Sequence, residues 1–339
     1  MVTARPPGSL ADIVDIAQRG ANRVRSIGFG PIPLRLAAES DEQIDRIADR
    51  LVDGAHPTWR TLDVALISAA TLAPGDLPAE LRPASDDQVH VVRDGALFAL
   101  AAGGERALWV LDPERSLGVR WTNAYDDVPL WEQSSPLRVA ARWWSTEHGA
   151  SMVHTGAVAN ADGAILLVGD GGAGKSTTTM ACLGTGLDVL GDDYCFVQPP
   201  AYDGDDALVH AVYRHAKLDD RSLTLLPQLR DRVVGTGVRG KSLIQLDTLS
   251  NPTRPVRAIC HVTQRPGKPT EVEPISRIEA LRAVAPSTMF QMRLLERETW
   301  AGIAAAVRVL PSFRLYVGDV GDIAGVVANT LNQLDARMM

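Results

Sequence analysis

The eight residues 169–176, Gly-Asp-Gly-Gly-Ala-Gly-Lys-Ser, have the types and spacing that phosphate chemistry requires. They match the loop pattern G-x-x-x-x-G-K-[ST] at every fixed position. Glycines allow backbone N–H groups to turn inward around a phosphate, and the helix after the loop adds its positive N-terminal end. In this pattern Lys175 reaches the β- and γ-phosphates of a nucleotide, and the hydroxyl of Ser176 holds Mg²⁺.

The segments on either side of the loop fit the strand–loop–helix context that the motif requires. The apolar run 164–168 predicts a buried strand, and residues 176–183 predict a helix that Gly184 ends. A nucleoside triphosphate is therefore the expected ligand, with ATP and Mg²⁺ as cofactors. The residues expected to contact the nucleotide are Gly169, Asp170, Gly171, Gly172, Ala173, Gly174, Lys175, Ser176 and Thr177.

An acidic pair, Asp192 and Asp193, ends the next apolar run and is followed by another. Asp192 comes 17 positions after Lys175, so one helix and one turn separate the pair from the loop. This short return is expected to bring both carboxylates beside the phosphates. A carboxylate at that place can bind Mg²⁺ or accept the proton of an attacking hydroxyl.

A basic segment follows the acidic pair, since residues 214–241 contain seven Lys or Arg and three Asp. Phosphoryl transfer requires positive charge on the γ-phosphate oxygens as the bond to the leaving oxygen breaks. We expect Lys217 and Arg239 to supply it. Apolar neighbours predict an inward strand position for Lys217, and Arg239 lies on a glycine-flanked backbone. Arg214 and Lys241 are also expected near the nucleotide.

His154, the loop and the acidic pair, in this order and spacing, resemble the catalytic domain of HPr kinase/phosphorylase. The similarity is closer to the HPr-kinase-like serine kinases found beside lasso-peptide biosynthesis genes, and it covers residues 152–197. It implies an α/β P-loop kinase domain of the HPr kinase/PEP carboxykinase type, with a strongly twisted mixed sheet. It also implies ATP-dependent transfer to a serine of a peptide or small protein, such as the C-terminal residue of a lasso precursor.

The resemblance also assigns roles to individual residues. Asp192 would be the base that takes the proton of the acceptor serine. Asp193 would orient Asp192 or support the metal site, and His154 would lie near the transferring phosphate, hydrogen-bonded to the acidic pair. The expected catalytic residues are therefore Asp192, Asp193, His154, Lys217 and Arg239, and the expected metal ligands are Ser176 and Asp193.

The pattern of segments predicts two domains. Residues 1–135 contain short apolar runs separated by turn residues, which predicts an N-terminal α+β domain rich in antiparallel strands and of unknown role. Residues 137–147 predict a connecting helix, and residues 136–339 form the predicted P-loop catalytic domain. The turn Asn160-Ala161-Asp162-Gly163 predicts a hairpin, so the strand before the phosphate loop has an antiparallel neighbour.

The composition limits which cellular environment and which binding partners are expected for the protein. The chain has 339 residues with a net charge of −7, which argues against nonspecific nucleic-acid binding. No apolar run approaches a membrane span, and the first residues lack the apolar core of a signal peptide. Cys182, Cys195 and Cys260 have no metal-binding spacing and are predicted to be buried thiols. We expect a cytoplasmic protein with a serine-bearing peptide or small-protein substrate, able to form a homo-oligomer.

These residues are compatible with three functions. The first is the serine kinase, because the acidic pair supplies a base for a hydroxyl nucleophile. The second is a nucleotide-dependent regulatory or binding protein without turnover. It is favoured by Thr177, which stands where HPr kinases usually carry a glutamate, and by residues 237–244, which lack the glutamate of the family's second signature. The third is a kinase for the hydroxyl of a small molecule.

Overall fold

The structure, a computed structural model, describes residues 9–54, 59–82, 89–102, 107–124, 130–236, 240–291 and 296–336. It is mixed α/β, which confirms the predicted fold class at that level. The chain divides into two compact units. One comprises residues 1–50 and 55–141, and the other comprises residues 51–54 and 142–339. The sequence had suggested a division between residues 135 and 136.

The first unit is built on one mixed sheet. Its strands, in the spatial order β1-β2-β3-β7-β6-β5-β4, pair in parallel at β2–β3 and β3–β7 and antiparallel elsewhere. The strands are β1 (Arg23–Phe29), β2 (Ile32–Ala38), β3 (Leu62–Ser68), β4 (Val89–Asp94), β5 (Leu97–Ala102), β6 (Ala107–Asp112) and β7 (Leu117–Thr122). The helices are α1 (Leu10–Gly20), α2 (Asp41–Ala48) and α3 (Leu130–Ser134), and α4 (Arg138–Glu147) crosses into the second unit.

Helix α1 covers this sheet with one apolar face, although the sequence analysis did not predict it. Its buried residues Leu10, Ile13, Val14 and Ala17 recur at helical spacing, and they join the core formed with β3 and β7. Helix α2 is capped by Ser40, whose hydroxyl accepts a hydrogen bond from the N–H of Gln43 at 3.4 Å. That helix ends at Ala48.

The second unit carries the phosphate loop. Its main sheet runs β11-β9-β10-β17-β13-β12-β8, with β19 beside β17 and β18 beyond β19, and a small sheet runs β14-β16-β15. The strands are β8 (Ser151–Val153), β9 (Gly156–Ala159), β10 (Ala164–Val168), β11 (Asp188–Gly191), β12 (Cys195–Gln198), β13 (Leu208–His210), β14 (His215–Leu218), β15 (Val233–Thr236), β16 (Ser242–Gln245), β17 (Thr253–Gln264), β18 (Glu271–Pro274) and β19 (Ser312–Val317). The helices are α5 (Lys175–Ala181), α6 (Asp220–Leu225), α7 (Arg277–Gln291), α8 (Glu296–Val309) and α9 (Ile323–Ala336).

The predicted hairpin before the phosphate loop is confirmed. Strand β10 pairs antiparallel with β9 on one side and parallel with β17 on the other, and the N–H of Asn160 donates to the carbonyl of Gly163 at 2.9 Å. The segment before Asn160 forms two strands, β8 and β9, and not one continuous strand. It breaks after Val153, because the Thr155 N–H leaves the ladder and donates to the carbonyl of Asp193 at 3.2 Å. The part before the break, β8, pairs with β12 instead.

Two further expectations concern burial and membranes. The three cysteines, Cys182, Cys195 and Cys260, are buried and free, as predicted. Burial raises the pKa of Cys182 and of Cys260 to about 12, so these thiols stay protonated. Among the helices that the structure describes, none is long and apolar enough to cross a bilayer.

Candidate active site

The phosphate loop connects β10 to α5 through three glycines with positive φ. The φ angles are +144° at Gly169, +83° at Gly172 and +96° at Gly174, a region that side-chain-bearing residues rarely adopt. A Cβ added at Gly171 or Gly172 would meet no atom within 4 Å, so the loop is open at its tip. The first N–H groups of α5 have no partner within the helix, which suits them to an anion. The backbone therefore fits a phosphate group.

Lys175, the loop lysine, is buried and turned back onto the loop itself. Its Nζ donates to the carbonyl of Gly169 at 2.7 Å and to that of Asp170 at 3.0 Å. Burial lowers the pKa of Lys175, and the charges of Asp192 and Asp193 oppose that lowering. The ammonium group thus lies within the loop, with carbonyl partners that phosphate oxygens could replace.

Strand β17 supports the loop from the neighbouring position in the sheet. The Gln264 side chain donates from Nε2 to the carbonyl of Gly172 at 2.8 Å. The ring of His261 lies 3.3 Å from the place of a Cβ at Gly169, a tight contact that, together with the φ of +144°, favours glycine there. Neither residue was predicted from the sequence to belong to the site. The available signal was the polar sequence Gln264-Arg265 at the end of a long apolar strand.

Asp192 follows the end of β11 and is buried, at 2% exposed. Its Oδ2 accepts a hydrogen bond from the backbone N–H of Lys217 at 3.2 Å, while its buried Oδ1 has no partner among the described residues. Burial, together with the charge of Asp193, raises the pKa of Asp192 to about 7, although the hydroxyl of Ser176 and the N–H of Lys217 oppose this rise. One carboxylate oxygen is therefore left for a further hydrogen-bonding partner.

Asp193 is held by two side chains. The Nζ of Lys217 lies 2.6 Å from Oδ2, and the Nε2 of His154 lies 3.7 Å from Oδ1. Burial by itself would raise the pKa of Asp193, but the charge of Lys217 and the interaction with His154 outweigh it and hold the pKa below the ordinary range. Burial by itself would lower the pKa of Lys217, but the charge of Asp193 outweighs this effect, so the pKa of Lys217 is raised. The two residues form a charged pair.

His154 lies at the break between β8 and β9 and is fixed by its backbone. Its N–H donates to the hydroxyl of Thr288 at 3.1 Å, and its ring centroid lies 5.5 Å from that of Tyr194. The Nδ1 atom is buried without a partner in the part of the chain that the structure describes. Thr288 lies inside α7.

The structure brings most of the expected site residues together. The loop, Asp192, Asp193, His154 and Lys217 form one connected group through the contacts given above, whereas Arg239 lies outside the described residues. Thr177 contacts α6, with its hydroxyl 2.8 Å from that of Ser222. Within the described ranges, no three His, Cys, Asp or Glu side chains converge as a metal site. Ser176 and Asp193 remain the candidates for Mg²⁺.

Comparison with protein-family models and with curated proteins finds no match to this chain. The function must therefore be inferred from the residues of the site and their geometry.

Proposed function

We propose that the protein is an ATP-dependent kinase that transfers the γ-phosphate to a serine hydroxyl of a peptide or small protein. The observation that carries this proposal is Asp192. It is a buried carboxylate whose Oδ1 has no hydrogen-bonding partner among the described residues, it interacts with the hydroxyl of Ser176 in the phosphate loop, and its pKa is raised to about 7. A general base is most effective when its pKa lies near the operating pH.

The loop side of the site would bind and orient the nucleotide. The α5 N–H groups and Lys175 would hold the phosphates, which requires the Lys175 ammonium to exchange its two carbonyl partners for phosphate oxygens. Mg²⁺, when bound, neutralises charge on the phosphate oxygens, and Ser176 and Asp193 are the residues that would hold it. Gln264 would restrain this loop through its hydrogen bond to the carbonyl of Gly172.

The acidic side of the site would act on the acceptor. Asp192 would take the proton of the serine hydroxyl through its free Oδ1. The hydroxyl oxygen forms a bond to the γ-phosphorus while the bond from that phosphorus to the bridging oxygen breaks, so that ADP leaves. The Asp193–Lys217 pair, joined to Asp192 through the N–H of Lys217, keeps Asp192 in place.

A P-loop kinase domain of the HPr kinase/PEP carboxykinase type is supported by the antiparallel neighbour of the loop strand and by the return of the chain to an acidic pair after one helix. In the more common arrangement of doubly wound proteins, this neighbour would be parallel.

Mass spectrometry of candidate acceptors tests the kinase proposal. The protein would be incubated with ATP, Mg²⁺ and a panel of HPr, a lasso precursor peptide and a metabolite mixture, with the Asp192→Asn variant as control. A gain of one phosphate on a peptide serine, absent with the variant, supports the proposal. Phosphate on a small molecule would instead identify a metabolite kinase.

A nucleotide-dependent binding protein is the second candidate. The engagement of Lys175 with loop carbonyls and the contact of Thr177 with Ser222 favour it, because neither residue is poised toward a substrate. ATP binding without transfer to any member of the panel would identify this function.

A further inference from the structure

Lys241 directly precedes β16, beside the strand that carries Lys217. In the antiparallel pairing of these strands Ser242 lies opposite Leu218, and Leu243 lies opposite Lys217. Side chains alternate between the two faces of a strand, so residues 241 and 243 share a face. Lys241 therefore projects on the face from which Lys217 reaches Asp193.

The other face of this small sheet is occupied by the core. Ala216, Leu218 and Ile244 are buried together with Met180 of α5, so that side is closed to substrates. Gly240 turns the chain into β16 with a φ of +72°, and a Cβ there would meet no atom within 4 Å. The position of Lys241 thus follows from a left-handed turn and a fixed strand register.

The charge of Lys241 acts on the carboxylates of Asp192 and Asp219 without forming an ion pair with either, in contrast to that of Lys217. Lys241 is half-buried and forms no ion pair within the described part of the chain, whereas Lys217 is paired with Asp193 at 2.6 Å. Its charge also acts on the loop. The pKa of Lys175 is lowered chiefly by burial, and the positive charge of Lys241 adds to that lowering. Within the described residues Lys241 is therefore a cation without an ion-pair partner, on the same face of the small sheet as Lys217.

We propose that Lys241 is a further catalytic residue, whose ammonium group donates hydrogen bonds to the non-bridging oxygens of the γ-phosphoryl group during transfer. This inference rests on the proposed kinase function. Lys241 would form no covalent bond and would keep its protons. The serine oxygen gains the bond to phosphorus, the bridging oxygen of ADP keeps the electron pair of the broken bond, and Asp192 receives the proton.

This assignment differs from the expectation that Lys217 contacts the γ-phosphate. A lysine whose charge is compensated by a carboxylate at 2.6 Å adds little field at a phosphate. A cation that forms no ion pair can instead respond to the charge that spreads over the γ-phosphate oxygens in the transition state. Lys217 then orients the acidic pair, and Lys241 stabilises the transferring group.

The test compares binding of ADP with binding of ADP plus Mg²⁺ and tetrafluoroaluminate, a planar mimic of the transferring group, by isothermal titration calorimetry. Lys241→Met removes the charge and keeps the aliphatic stem, and Lys241→Arg keeps the charge. Arg230→Met is the matched control, because Arg230 is an exposed cation of the same segment without an ion pair in the described ranges. Thermal unfolding of each variant checks that it is folded.

We expect Lys241→Met to bind ADP within about twofold of the original protein and to lose about 10²-fold of the additional affinity for the tetrafluoroaluminate complex, the effect of removing one transition-state donor. Lys241→Arg should keep most of this affinity, and Arg230→Met all of it. The assignment is wrong if Lys241→Met keeps the full additional affinity for the tetrafluoroaluminate complex. It is also wrong if the affinity of this variant for ADP alone falls by the same factor. A third outcome is that the additional affinity depends on Lys241 but no acceptor is phosphorylated. In that case Lys241 contacts the γ-phosphate position, and it is the serine kinase proposal that fails.

Discussion

The ammonium group of Lys217 lies 2.6 Å from the carboxylate of Asp193, while the backbone N–H of the same lysine donates to Asp192. One residue of β14 therefore binds both members of the acidic pair. This contact separates the roles of two adjacent carboxylates: the cation keeps Asp193 ionised, while Asp192, buried beside a negative charge, holds its proton up to about pH 7.

Breaking this pair should destabilise the protein. Lys217→Met leaves a largely buried carboxylate without its counter-ion, and we expect a loss of about 2–4 kcal/mol in the free energy of unfolding. The measurement is urea denaturation of Lys217→Met, Asp193→Asn and the double variant. The double variant should lose less than the sum of the single losses, because the charge left unpaired by one change is removed by the other. Additive losses would show that the two groups do not interact in solution.

Lys175→Ala should abolish stabilisation by nucleotide. Lys175 is the loop cation expected to exchange its carbonyl partners for phosphate oxygens. Thermal unfolding with and without ATP and Mg²⁺ measures this, since a ligand that binds the folded state raises its stability. Arg230→Met serves as a control for loss of positive charge in general. An unchanged shift in Lys175→Ala would mean that the loop does not bind phosphate.

Asp192→Asn should separate binding from transfer. ATP affinity should be retained, while the transfer rate should fall by about 10²-fold or more, the contribution of a general base. In the original protein the rate should decline as the pH falls below about 7, because Asp192 must lose its proton to accept another. This decline should disappear in the residual activity of the variant. A variant with full activity would remove Asp192 from the mechanism.

The same pKa predicts the effect of Asp192 on stability. A carboxyl group with a folded-state pKa above its unfolded value binds its proton more tightly when folded, so it stabilises the protein below about pH 4 and loses this contribution as pH rises to about 7. Asp192→Asn removes the cost of ionising a buried group. We therefore expect the variant to unfold at a higher temperature than the original protein at pH 8, and this difference should shrink at pH 5. A lower unfolding temperature at pH 8 would contradict the raised pKa.

What the sequence predicted well was local. The strand before the loop, the hairpin at Asn160 and the helix at Lys175 each follow from residues that are neighbours in the chain. Helix α1 had a readable signal in the spacing of its buried residues and in the capping hydroxyl of Ser9, but it was missed. The strand break after Val153 was not readable, because the Thr155 N–H is satisfied by the carbonyl of Asp193, which lies far along the chain.

The contacts that complete the candidate site are of this long-range kind. The hydroxyl of Thr288 reaches the backbone of His154 across 134 positions, and Gln264 reaches Gly172 across 92. No spacing within one segment can indicate such partners. The pairing of Lys217 with Asp193 likewise depends on the register of β14, whereas the sequence predicted only that the residue faces inward.

Gln264 provides a test of how the loop is held open for a phosphate. Its side-chain N–H donates to the carbonyl of Gly172 at 2.8 Å, so Gln264→Ala should allow this peptide to rotate and should weaken ATP binding by about 2–10-fold, the range for one hydrogen bond. Gln264→Glu, which replaces the donor by an acceptor and adds negative charge, should weaken ATP binding further. Calorimetric titration with ATP and Mg²⁺ measures both, with Gln245→Ala on β16 as the matched control. Equal affinity in Gln264→Ala and the original protein would mean that the loop holds its shape without support from β17.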